Sequence, residues 1–103
     1  MEVLNTVPHE QAVLPLIQTL QDADWWVRER SIDALGTIGD ARALAPLLEL
    51  ANHDEKALPL CLRSLGKIGD LTALDSIRRF VDSEREDVRR EARVAVMTLT
   101  KRG

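Results

Sequence analysis

The sequence predicts an all-α solenoid of three stacked helical hairpins. The stretch LGTIGD at 35–40 returns as LGKIGD at 65–70, a shift of 30 residues. The same shift aligns apolar residues upstream of each copy, and Leu14, Leu44 and Leu74 form one such set. Three copies at one period indicate stacked units, because a single hairpin cannot bury its own apolar face. No alternating apolar and polar run bounded by turns predicts a strand.

We expect the 103 residues to form one domain. Its units span about residues 10–39, 40–69 and 70–100, and residues 1–9 form an N-terminal extension. The second helix of the third unit aligns with that of the first after a shift of 61, so the turn at 82–87 carries one extra residue. Turns absorb such insertions at little cost in free energy.

The first helix of each unit is predicted from its boundary residues. Asp40 and Asp70 can accept hydrogen bonds from the free N–H groups at the start of a helix. The predicted ends lie near three polar residues: Asp22, Asn52 and Asp82.

The second helices are predicted to begin after three capping residues: Asp24, Asp54 and Ser83. The stretch SERE at 83–86 matches a capping box, in which Ser83 accepts from the Glu86 amide and Glu86 reaches back. Gly39 and Gly69 are expected to take the left-handed conformation that ends a helix.

Composition excludes several classes of protein. The formal net charge is −3, which gives no general attraction to nucleic acid or anionic lipid. Cys61 is the single cysteine, so we expect no disulfide, and its position on the apolar stripe predicts a core residue. No apolar run approaches membrane-spanning length and no basic leader opens the chain, so we expect a cytoplasmic protein without a membrane partner.

The pattern resembles the HEAT repeat, in the short form called the phycobilisome-lyase-like HEAT repeat. The matching stretches are ALAPLLEL at 43–50 for a first helix and ALGTIGD at 34–40 for the end of a second helix. The resemblance covers about residues 10–100 and implies a right-handed α-solenoid that serves mainly as a protein-binding scaffold. Function in such folds depends on the variable surface.

The resemblance also implies structural ties between neighbouring repeats, made by a turn aspartate and an arginine of the second helix. These residues are Asp22 and Arg28 in the first unit, and Asp82 and Arg89 in the third. The second unit has Asn52 and Leu58 in these places, so we expect the ladder of ties to be interrupted there.

Two enzymatic relatives give alternative interpretations. Deoxyhypusine hydroxylase binds iron through several His-Glu pairs, whereas this sequence has one, His9-Glu10, and His53 precedes an aspartate. Bilin lyases carry the same repeat type, but the sequence shows no recognisable bilin pocket. We therefore expect no enzymatic activity, no metal and no cofactor. A bilin-lyase-like protein, or a fragment of a longer repeat array, is the alternative.

Nucleic-acid binding is a second alternative, because the third unit carries many arginines. Acidic residues are interspersed among them, including Asp82, Glu86 and Glu91, whereas a nucleic-acid groove normally shows a cleaner positive field. We therefore expect a protein partner, whose identity the sequence does not give.

The predicted binding surface lies on the second helices, on the side opposite the apolar stripe. The resemblance implies that these helices line the concave face of the solenoid. The predicted contact residues are Trp26, Glu29, Arg30, Asp33, Leu60, Arg63, Lys67 and Arg90.

The adjacent tryptophans are expected to have different roles, because neighbours on a helix point about 100° apart. Trp25 falls toward the neighbouring repeat and is predicted to be structural, whereas Trp26 falls on the open side and is predicted to contact the partner.

Weak self-association is a further expectation. Residues 1–52 carry 3 basic and 8 acidic residues, whereas residues 53–103 carry 11 and 9. Opposite charges at the two ends favour a head-to-tail contact or a symmetric dimer.

Overall fold

A computed structural model describes residues 9–102, with side chains described for residues 11–101. The helices are α1 (His9–Thr19), α2 (Trp25–Ile38), α3 (Leu44–His53), α4 (Leu58–Ile68), α5 (Leu74–Arg78) and α6 (Glu86–Arg102). Short 3-10 turns at Ala41–Ala43 and Leu71–Ala73 lead into α3 and α5. No strand is present within residues 9–102. Most of the predicted N-terminal extension, residues 1–8, lies outside the described part.

The helices pair as three antiparallel hairpins, α1 with α2, α3 with α4, and α5 with α6. The second helices connect the hairpins, because α4 packs against both α2 and α6. The core between the two layers is aliphatic, and its largest fully buried side chains include Leu35, Leu47, Leu65 and Ile77. The predicted all-α stack of hairpins is confirmed.

Hydrogen bonds confirm some of the predicted helix boundaries. The Asp24 carboxylate accepts from the Trp26 amide at 3.0 Å at the start of α2. Asp40 and Asp70 accept in the same way two residues downstream, but they cap the 3-10 turns, and α3 and α5 begin only at Leu44 and Leu74. Gly39 and Gly69 both have φ 77°, the left-handed conformation that ends α2 and α4. Side chains other than glycine rarely adopt this conformation.

The starts of α4 and α6 differ from the prediction. The Asp54 carboxylate accepts from the amides of Lys56 (3.0 Å) and Ala57 (3.2 Å), which form a turn, and α4 begins only at Leu58. Three residues therefore separate the predicted capping residue from the assigned helix.

The predicted capping box at 83–86 is wrong in its partners. The Ser83 hydroxyl accepts from the Arg85 amide at 3.1 Å, two residues downstream, which makes a local turn before α6 begins at Glu86. The Glu86 carboxylate pairs with Arg90 at 3.4 Å, one turn further along α6. The longer turn of the third unit thus shifts the start of its second helix.

The first glycine of each repeated motif lets the second helices approach closely. A Cβ atom added to Gly36 would lie 2.6 Å from Ser64 Oγ and 2.9 Å from Ser64 Cα. A Cβ atom on Gly66 would lie 3.0 Å from Ala95 Cα. The contact between α2 and α4 also contains a buried hydrogen bond, from the Ser64 hydroxyl to the Ile32 carbonyl at 2.7 Å. A side chain at Gly36 would push α2 and α4 apart, whereas one at Gly66 would require a shift of the neighbouring helix by a few tenths of an ångström.

None of the helices in the described part has an apolar stretch of membrane-spanning length.

We predict that Gly36→Ala destabilises the fold by about 1–3 kcal/mol, because the new methyl group overlaps the α4 backbone. At an open helical position the same change would instead stabilise by about 1 kcal/mol, through helix propensity. Urea unfolding followed by circular dichroism measures the difference. Thr37→Ala, at the exposed neighbouring position, is the control and should leave stability nearly unchanged. A Gly36→Ala variant as stable as the wild type would contradict the close packing.

Candidate functional site

The main cleft of the described structure lies between α2 and α4 and has a volume of about 370 Å³. We call it the α2–α4 cleft. Its lining residues are Trp26, Glu29, Arg30, Ile32, Asp33, Leu60, Arg63 and Ser64. Six of these eight belong to the binding surface predicted from the sequence.

The period of the helix places these residues together. Trp26, Glu29, Arg30 and Asp33 recur at intervals of three and four residues, so they share one face of α2. The Asp24 cap fixes the first turn of α2, because its carboxylate holds the Trp26 amide. The cleft therefore begins at a well-defined helix start.

An exposed aromatic side chain stands beside an apolar floor. Trp26 is 68% exposed, although it is among the largest side chains of the protein. Leu60 packs against the core with part of its surface and leaves the rest in the cleft. Ile32 and Ser64 are buried beneath it, and the Ser64 hydroxyl is already bound to the Ile32 carbonyl. The floor thus offers apolar contact without an unsatisfied hydroxyl.

Ile32 and Ser64 were absent from the predicted surface because both lie on the buried stripe of their helices. The sequence contains one signal for Ser64, namely that it is a polar residue within an otherwise apolar stripe. The helical wheel cannot show which residues of the buried stripe lie beneath a cleft between two helices.

Charges on α4 are paired with acids on both neighbouring helices. Arg63 donates to Glu91 of α6 through two nitrogens, at 2.7 and 3.3 Å, and these hydrogen bonds raise the pKa of the arginine. Lys67 lies 3.5 Å from Asp33 of α2, at the edge of the cleft. By contrast, Glu29 and Arg30 make no ion pair with any other described residue. These two charges are available to a ligand.

The structure separates Arg90 from the other predicted contact residues. Arg90 pairs with Glu86 and lines a second depression on α6 with Arg93 and Val94. Arg63 lies between α2 and α6, so the α2–α4 cleft ends before it reaches Arg90.

Trp25 lies at the junction of the first and second units. Its ring is half-buried and packs against the core, with the Arg28 guanidinium 5.3 Å and the Lys56 ammonium 4.5 Å from its centroid. Arg28 Nε also lies 3.4 Å from the Asp54 carboxylate of the second unit. Trp25 and Arg28 together join α2 to the turn before α4.

The expected aspartate–arginine ties have other partners in the structure. Arg28 donates to the backbone carbonyls of Asp22 (2.8 Å) and Ala23 (3.2 Å), while the Asp22 carboxylate accepts from the Asp24 amide. The acid that pairs with Arg28 across the units is therefore Asp54, not Asp22.

The third unit repeats this arrangement. Arg89 donates to the Ser83 carbonyl at 2.9 Å, and Asp82 pairs with Arg93 at 3.4 Å. The arginines turn toward loop carbonyls because these carbonyls have no partner within a helix.

Cys61 is fully buried in α4, as the apolar stripe predicted. Burial, with a smaller contribution from the charge of Asp54, raises the pKa of its thiol to about 12. The thiol is therefore protonated near neutral pH and is not activated as a nucleophile. Within the described residues, no three His, Cys, Asp or Glu side chains are grouped to bind a metal ion.

Comparison with known proteins gives a family match over more than half of the chain. Residues 1–59 match the family of HEAT repeats. The chain is also similar to the phycocyanobilin lyase subunit alpha of Picosynechococcus sp., with 30% identity over 112 residues. The match covers 96% of this chain and 42% of that relative, so the chain spans less than half of the relative's length.

The expectation of no enzymatic activity is contradicted by this similarity, because the relative is a subunit of a lyase. The expectation relied on the absence of known catalytic motifs and of a recognisable bilin pocket. Neither observation excludes a lyase, since activity in a repeat protein depends on its variable surface.

We predict that Trp25→Ala lowers the free energy of unfolding by about 2 kcal/mol or more, because it removes a half-buried ring from the junction. Trp26→Ala should change it by less than about 0.5 kcal/mol, because Trp26 is largely exposed. Urea unfolding measures both, and acrylamide quenching of Trp25→Phe and Trp26→Phe compares the two rings directly. Better shielding of Trp26 than of Trp25 would reverse the assignment.

We predict that the buried Cys61 thiol makes stability depend on alkaline pH. The folded protein keeps the thiol proton up to a pKa of about 12, whereas the unfolded chain loses it near the ordinary value of 9.0. The stabilisation is complete below the unfolded pKa and is lost as the pH rises through the range between these values. The stability of the wild type relative to Cys61→Ala should therefore fall by about 1–2 kcal/mol between about pH 8 and about pH 10.

Cys61→Ala serves as the reference because it retains every other group that titrates in this range. Urea unfolding at each pH measures the two proteins in parallel. A stability difference that stays constant with pH would show that the thiol ionises equally in both states.

Proposed function

Because this chain belongs to the HEAT-repeat family, we propose that it is the partner-binding part of a lyase-type protein. We further propose that it holds a segment of a protein partner in the α2–α4 cleft. The similarity to a lyase subunit supports the first statement, since a subunit works within an assembly. The observation that supports the second is the exposed Trp26 beside the partly buried Leu60.

The composition of the cleft favours a protein segment as ligand. Binding energy at protein interfaces is concentrated in a few residues, with tryptophan and arginine enriched among them and polar groups around them. Trp26 and Leu60 provide the apolar centre, while Glu29, Arg30 and Arg63 surround it. Because Glu29 and Arg30 have no partner among the described residues, a bound segment can pair with both without breaking an existing ion pair.

The size of the cleft agrees with this proposal. Its volume of about 370 Å³ lies near the lower end of the range of about 300–1,000 Å³ for small-molecule pockets. Such a volume accepts one or two side chains of a partner, while the rest of the partner contacts the rim.

Site-specific crosslinking tests the proposal. A photoreactive phenylalanine analogue at position 26 should crosslink one protein partner in cells of the source organism. The same analogue at position 71, which holds an exposed leucine outside the cleft, is the control. With the purified partner, Trp26→Ala should weaken binding about 30-fold, equivalent to about 2 kcal/mol, and Leu71→Ala should not. Equal crosslinking from both positions would contradict the proposal.

A bilin titration distinguishes the alternative ligand for the same cleft. In Trp25→Phe, Trp26 is the sole source of tryptophan fluorescence. Phycocyanobilin is titrated into this variant, and the same titration into serum albumin gives the non-specific quenching that is subtracted. Saturable quenching of Trp26 fluorescence after this subtraction would assign the cleft to the pigment. Unsaturable quenching would leave the protein segment as its ligand.

A further inference from the structure

The two unpaired charges of the α2–α4 cleft lie on either side of its tryptophan. Glu29 and Arg30 each lie about one turn beyond Trp26 on α2, and Asp33 lies about one turn beyond both. At about 100° per residue, Glu29 and Arg30 fall on opposite sides of the line from Trp26 to Asp33. A ligand that lies along this line therefore meets an anion on one side and a cation on the other.

Glu29 lies on the side of α2 that faces α4. Ile32 and Gly36 both contact Ser64 of α4. Glu29 precedes them by three and seven residues, which places it on the same side of the helix. Glu29 is accordingly half-buried, whereas Arg30 is exposed. The carboxylate thus stands inside the cleft, and the guanidinium stands at its outer rim.

The cations of α4 already have acidic partners. Arg63 donates to Glu91 of α6, and Lys67 lies 3.5 Å from Asp33. The remaining contribution of α4 to the open part of the cleft is the apolar side chain of Leu60. The two walls therefore differ: α4 offers apolar contact, whereas α2 offers one anion and one cation that no described residue pairs with.

We propose that the cleft selects a protein segment in which one apolar side chain has a basic residue on one side and an acidic residue on the other. The apolar side chain packs against Trp26 and Leu60. The basic residue pairs with Glu29 inside the cleft, and the acidic residue pairs with Arg30 at the rim. This inference rests on the proposed use of the cleft for a partner segment, to which it adds the charge pattern of that segment.

The charge pattern distinguishes this segment from other occupants of the cleft. A polyanion such as nucleic acid brings a like charge against Glu29, and a polycation brings one against Arg30, and like charges across an interface suppress binding. The chain's own residues 1–8 do not supply the pattern, since Glu2 is their only charged side chain.

Peptide selection tests the pattern on the full chain. Random linear peptides displayed on phage are selected on the wild type, and only peptides whose binding Trp26→Ala abolishes are retained. These peptides should share an apolar residue between a basic and an acidic one. In fluorescence anisotropy titrations of a selected peptide, Glu29→Gln should weaken binding about 10-fold and Arg30→Gln about 3-fold, because a half-buried ion pair is screened less than an exposed one. Glu84→Gln, an exposed acid outside the cleft, is the control and should change nothing.

A charge exchange separates specific pairing from general electrostatic attraction. The double variant E29R/R30E keeps the composition and the net charge of the wild type. A peptide synthesised with its basic and acidic residues exchanged should bind this variant at least about 10-fold better than it binds the wild type. The selected peptide should show the opposite preference. Circular dichroism shows whether the double variant is folded, and the two single glutamine variants decide the question if it is not.

The proposal is overturned if the Trp26-dependent peptides lack the pattern, or if their binding does not respond to Glu29 and Arg30. The cleft would then still hold a protein segment, as proposed above, without reading its charges. If no selected peptide depends on Trp26, the proposed use of the cleft fails together with the charge pattern. Dimerisation of the wild type that Trp26→Ala abolishes, measured by light scattering, would assign the cleft to a second copy and overturn both.

Discussion

The spacing of the second helices depends on two close contacts made by glycines, Gly36 against Ser64 and Gly66 against Ala95. Close packing brings the α4 backbone near enough for the Ser64 hydroxyl to donate to the Ile32 carbonyl. A carbonyl oxygen that accepts one hydrogen bond within a helix keeps a second lone pair for such a donor. The same two residues form the floor of the α2–α4 cleft. The depth and polarity of the cleft therefore follow from the packing that holds the stack together.

The turns follow a second constraint, that carbonyl groups outside helices need donors. In the first and third units an arginine of the second helix supplies them, Arg28 and Arg89. The second unit has the buried Leu58 at this position, and its loop carbonyl at Glu55 accepts instead from Arg85 of the third unit, at 2.8 Å. Arg85 lies in the turn that carries the extra residue. That turn of the third unit therefore supplies the donor that the second unit lacks at position 58.

Features that depend on local sequence could be predicted, and features that depend on how helices meet could not. The repeat, the aspartate caps and the left-handed glycines each follow from a few adjacent residues, and six cleft residues follow from the helical period. Three other features depend on distances between helices: the pairing of Arg28 with Asp54, the position of Ile32 in the cleft floor, and the separation of Arg90 from the cleft. The sequence predicted the lyase-like repeat type, but the expectation of no enzymatic activity was wrong because it relied on short catalytic motifs, which this relation does not require.

The two adjacent tryptophans connect the stability of the stack to the cleft. Both lie in the first turn of α2, which the Asp24 carboxylate fixes through the Trp26 amide. Trp25 packs against Lys56 of the second unit, while Trp26 lines a cleft whose opposite wall is α4. A ligand in the cleft therefore contacts the same two helices that the junction joins, and ligand binding to the folded state alone must stabilise that junction. Binding of the proposed partner would thus be thermodynamically linked to the integrity of the first repeat, with Trp26 contacting the partner and Trp25 holding the junction.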